Sequence, residues 1–104
     1  MKVEVLAVLD CPNAEPAVLQ VRRALDTLGL HDTEVTRRVI TDQQQAERAG
    51  FTGSPTILLN GRDPFAEPGR PAGLACRVYR TTHGFAGTPD PGLLLQALET
   101  TSPS

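Results

Sequence analysis

Apolar positions in this chain come in short runs, and each run predicts an element. Val3, Val5, Leu6, Val8 and Leu9 form a nearly continuous Val-rich run. It reads as a strand from about Lys2 to Leu9, buried on both faces. The chain turns at Asp10-Cys11-Pro12. Ala14, Val18, Val21, Leu25 and Leu28 then follow at steps of three and four, which places one stripe on a helix over Asn13–Leu28. Pro16 falls in its first turn and Gly29 at its C-cap. Thr33–Ile40 carries Val35, Val39 and Ile40 among Thr and Arg residues and reads as a half-exposed edge strand. Thr41 is the expected N-cap of a short polar helix over Asp42–Ala49, with Gln44 completing a capping box, Gly50 ending it, and only Ala46 and Ala49 to bury. Thr56–Leu59 is a third strand, and Asn60-Gly61 is a strong hairpin signal after it. Arg62–Ala72 is a Pro-rich loop, long for so small a chain. Leu74–Arg80 alternates as a fourth strand, with Leu74, Cys76 and Val78 on one face and Ala75, Arg77 and Tyr79 on the other. Thr81–Thr88 reads as a turn, and Asp90 caps a last helix that starts at Pro91. Leu93, Leu94, Ala97 and Leu98 are its expected buried face, and Thr100–Ser104 should fray.

The order is therefore β-α-β-α-β-β-α, an α/β pattern. Strands one and two should pair in parallel through a right-handed crossover, and strands three and four should form an antiparallel hairpin. The expected result is a four-stranded mixed sheet with helices on both faces. At 104 residues the whole chain, 1–104, reads as a single domain. Phe51, Phe65, Tyr79 and Phe85 are the only aromatic residues, so the core must be aliphatic. The formal net charge of -2, with basic residues scattered, argues against a nucleic-acid surface. No apolar run reaches membrane-spanning length, the first run reads as a strand rather than a signal peptide, and a cytoplasmic location is the expectation.

The two cysteines carry the candidate chemistry. Cys11 falls between a buried strand and a helix N-terminus, where free N–H groups and the helix dipole favour a thiolate and so a nucleophile. The alternative is a small buried hydrophobe. Cys76 reads as a core residue beside Leu74 and Val78, as a disulfide partner of Cys11, or as a second soft-metal ligand beside it. Pro55 enters strand three directly, a place where a cis Ser54–Pro55 bond is expected to shape the turn. His31 and His83 lie in turns without metal-ligand spacing to a cysteine, and Asp63, Glu67 and Asp90 read as turn or cap residues. No zinc motif, phosphate loop or Ser-His-Asp order is present, so neither a metal nor a cofactor is assigned.

The element order, Cys11 after strand one, and Gly53-Ser54-Pro55-Thr56 before strand three together resemble the thioredoxin-like superfamily. Phe85-Ala86-Gly87 and the last helix are similar to its closing elements. Asp10-Cys11-Pro12, Asp63-Pro64-Phe65 and Cys76-Arg77-Val78-Tyr79 also resemble short actinobacterial-type thioredoxin-like proteins, some labelled alkylmercury-lyase-like. The resemblance implies a thioredoxin-like fold with Cys11 as nucleophile, and with Pro12, Ser54 and Pro55 contacting a thiol or disulfide substrate. Two departures stand out. Ala14 replaces the resolving cysteine of the usual Cys-x-x-Cys, and Asp10 replaces the preceding Trp and sets a negative charge against a thiolate. The resemblance thus implies a thiol-disulfide oxidoreductase whose Cys11 is resolved by Cys76 or an external thiol. Two other readings stand beside it. One is capture of a soft metal or organomercurial by Cys11 and Cys76. The other is a non-catalytic scaffold that binds a partner through Asp63–Gly73.

Overall fold

The computed structural model describes residues 1–101. Strand β1 (Val3–Ala7) is central, with β2 (Val35–Val39) parallel on one side and β3 (Thr56–Leu59) antiparallel on the other. Every residue of β1 is buried, including Glu4, which Arg38 pairs, whereas β2 is an exposed edge. Helix α1 (Ala14–Thr27) follows β1, and Gly29 ends it with a positive φ of 76°. Helix α2 (Gln43–Ala49) precedes β3. Its N-cap is Asp42 rather than Thr41. The Asp42 carboxylate accepts from the Gln45 N–H at 2.8 Å while the Gln45 side chain accepts from the Thr41 N–H, so the expected box is displaced by one residue.

Side chains alternate across the sheet. Val3, Val5, Ile57 and Leu59 pack with Ala17, Val21 and Leu25 of α1 and with Leu94 and Leu98 of the last helix, α3 (Pro91–Thr101). On the other face Leu6 and Leu58 pack with Ile40, Ala46 and Phe51. Phe51 is wholly buried in this cluster with the small Ala46 of α2, a burial worth about 1.5–3 kcal/mol. In α3 the buried face is Leu94 and Leu98; Leu93 is exposed. Thr100 and Thr101 are helical, and the rest of the expected frayed end lies outside the described residues.

The expected four-stranded sheet is not formed. The sheet has three strands, and a separate two-stranded ribbon pairs β4 (Tyr79–Thr81) with β5 (Gly84–Ala86). Asn60 and Gly61 do turn the chain back, both with positive φ, but the hairpin holds only one bridge, Leu59 to Arg62. Pro64, Pro68 and Pro71 then deny the ladder its donors. When the chain returns it makes a single backbone bridge beside β3, where Cys76 lies parallel to Ser54. The stretch expected to turn, Thr81–Thr88, instead supplies β5. The expected fourth strand over Leu74–Arg80 forms only from Tyr79: Leu74, Ala75, Cys76 and Val78 are exposed, while Arg77 and Tyr79 are buried. Cys76 is therefore not a core residue. Arg77 turns inward because a carboxylate waits for it there.

Candidate functional site

Cys11 is half-buried in the turn between β1 and α1. Asp10 takes φ 61°, a left-handed conformation that an Asp tolerates, and reverses the chain there. The Cys11 N–H then donates to the Val8 carbonyl at 3.3 Å, and the Cys11 carbonyl accepts from the Ala14 N–H at 3.2 Å. These bonds fix the turn in front of the first helical residue. Cys11 opens on a cleft of about 300 Å³ whose opposite wall is Arg37, Arg38 and Val39 of β2. Both arginines are paired, Arg37 with Glu15 at 2.6 Å and Arg38 with the buried Glu4 at 3.2 Å. Asp10 lines the same cleft. The charge around the thiol is thus mixed.

On the other side of β1 lies the Gly53–Thr56 loop, with a cis bond between Ser54 and Pro55. The Ser54 hydroxyl accepts from the Val8 N–H at 3.0 Å, so one residue, Val8, is bonded to both the Cys11 turn and this loop. Ser54 and Pro55 are buried, whereas Pro12 is exposed. The Ser54 N–H donates to the Ala75 carbonyl at 2.9 Å, and the Arg77 N–H donates to the Ser54 carbonyl at 3.0 Å. Gly53 sits directly under Arg77: a Cβ added there would lie 2.8 Å from the Arg77 Cβ. Cys76, exposed and with a free thiol, is held by this clasp at the same end of the sheet as Cys11. The two cysteines form no disulfide.

A buried network behind the loop was not legible in the chain. The Arg77 guanidinium bonds Asp63 at 2.6 Å, the Phe65 carbonyl at 2.7 Å and the Thr56 hydroxyl at 3.2 Å, and lies 4.5 Å from the centre of the Tyr79 ring. The Tyr79 hydroxyl donates to the Pro55 carbonyl at 2.5 Å, and Phe65 meets the Tyr79 ring edge-on. Burial pushes the Tyr79 phenol well above its ordinary value. Asp63 is a turn residue, as expected, since it accepts from the Phe65 N–H, but it is also the counter-ion of Arg77. The signal for this was an Arg and a Tyr two apart on one face of an alternating stretch. The core reading of Leu74, Cys76 and Val78 would turn these two outward; ion pairing turns them inward.

Among the described residues no group of three or more His, Cys, Asp or Glu is placed to hold a metal ion, and His31 and His83 are surface residues. No helix of the described residues is long and apolar enough to cross a membrane. Comparison with protein-family models, with curated proteins and with solved structures returns no match.

Proposed function

We propose that this protein is a thiol-disulfide oxidoreductase in which Cys11 is the nucleophile. The observation that carries the reading is the setting of Cys11: a half-buried thiol in a strand-to-helix turn, open to a cleft, and joined through Val8 to the loop of the cis Ser54–Pro55 bond. Deprotonated Cys11 Sγ attacks one sulfur of a substrate disulfide. A Cys11–substrate mixed disulfide forms, the substrate S–S bond breaks, and the second sulfur leaves as a thiolate that takes a proton from water. A second thiol then attacks the mixed disulfide and loses its proton to water. If that thiol is Cys76, the reduced substrate leaves and a Cys11–Cys76 disulfide remains for an external dithiol to reduce. If it is a small external thiol, it attacks the substrate sulfur, Cys11 leaves as a thiolate, and a mixed disulfide of substrate and external thiol is released.

Turnover of a small disulfide in the presence of a thiol reductant tests this. Cys11→Ser should abolish it, and undiminished turnover in that variant overturns the reading. Cys76→Ser separates the two routes: retained activity assigns resolution to the external thiol, and loss with an accumulating mixed disulfide on intact mass assigns it to Cys76.

A further inference from the structure

The loop beside Cys11 leads directly into β3, the strand at the outer edge of the sheet. An extended peptide binds such an edge by pairing its backbone with the edge's free N–H and C=O groups. At Ser54 neither group is free. The N–H is given to the Ala75 carbonyl and the carbonyl is taken by the Arg77 N–H, so the chain's own Ala75-Cys76-Arg77 lies there as a one-residue parallel strand. The next acceptor, the Pro55 carbonyl, is taken by the Tyr79 hydroxyl. The segment is held by a buried ion pair: the Arg77 and Asp63 side chains are 1% and 8% exposed. The opposite edge, β2, carries Arg37 and Arg38, and charged side chains on an edge strand discourage strand addition. The Cys11 cleft, about 300 Å³, falls at the small end of ligand sites.

From the filled edge we infer that Cys11 takes low-molecular-weight disulfides, and that Ala75–Arg77 is a built-in strand that denies peptide substrates their backbone pairing. What the strand excludes rests on the Cys11 reading. That the edge is filled rests on the backbone bonds alone.

The test compares two mixed disulfides with the same leaving group, 2-nitro-5-thiobenzoate. One carries a single blocked cysteine, the other the same cysteine in an extended seven-residue peptide. Attack by Cys11 releases one coloured thiolate in each case, and the Cys11→Ser variant supplies the background from Cys76. Equal second-order rates, within about threefold, are expected, because the peptide gains no backbone bonds. A tenfold or greater advantage for the peptide overturns the inference. Amide hydrogen exchange at Ser54 and Arg77 tests the filled edge separately. Protection of both is expected; exchange of either at the rate of an open chain overturns it. Failure of both disulfides to react above background overturns the Cys11 reading and the substrate class with it, while protected amides would still establish the built-in strand.

Discussion

Two residues, one beside Cys11 and one buried behind the Ser54–Pro55 loop, decide more than their size would indicate. Asp10 makes the turn that exposes Cys11, through its left-handed backbone, and also places a carboxylate at the mouth of the cleft. Asn adopts the same backbone without the charge, so Asp10→Asn isolates the electrostatic part. Alkylation of Cys11 should become about two- to fivefold faster, as removing a screened like charge at short range predicts. The gain should shrink at high salt, which timed alkylation followed by intact mass reads directly. Tyr79 is the other. Its phenol is buried and bonded, and its titration is pushed upward from the ordinary 10.0. Below about pH 10 the folded and unfolded chains both hold this proton, so Tyr79 adds no pH dependence there. Above that pH the unfolded chain releases the proton while the folded chain keeps it, and stability falls by about 1.4 kcal/mol per pH unit. Denaturant titrations between pH 10 and 11.5 should show this slope, and Tyr79→Phe should reduce it.

Among the elements, the weakest by regular structure is held by the strongest polar contacts. The Arg62–Gly73 segment contains no strand or helix, yet Asp63 binds Arg77, the Gly73 N–H donates to the Phe51 carbonyl at 3.1 Å, and the Gln43 side chain donates to the Ala72 carbonyl at 2.9 Å. It is pinned to α2 and to the stretch before β3. Asp63→Ala would leave the Arg77 guanidinium buried without its counter-ion, a loss of about 3–5 kcal/mol. That is a large share of the stability of a small domain, typically about 5–15 kcal/mol. Urea unfolding should register it. Because Arg77 also clasps Ser54, amide protection at Ser54 should fall in the same variant. The ribbon is tied in likewise: the Asp90 carboxylate caps α3 through the Leu93 N–H and accepts from the Thr82 N–H in the β4–β5 turn.

At the scale of the whole molecule, local periodicity determined the elements that are apolar or capped. β1, α1, β3, the Asn60-Gly61 reversal and the Asp90-Pro91 start of α3 follow from side-chain spacing and turn chemistry, which act within a few residues. The location of Cys11 between β1 and α1 was legible for the same reason. The parallel pairing of β1 with β2 was legible from the βαβ connection, but the partners of the later strands were not, because pairing depends on which edges remain open once the chain has closed on itself. The expected strand over Leu74–Arg80 forms only from Tyr79, and the core reading of Leu74, Cys76 and Val78 put the wrong face inside. A buried arginine is favourable only where a distant carboxylate meets it, and the separation of Asp63 and Arg77 in sequence hides that meeting. The sequence by itself determined the order of elements as far as β3, the start of the last helix, and the place of Cys11 in the turn between β1 and α1. Only the tertiary structure decided that the sheet stops at three strands, that Cys76 faces outward, and that the edge beside Cys11 is occupied by the chain itself. Periodicity is a property of neighbours in sequence. Edge occupation and ion pairing are properties of neighbours in space.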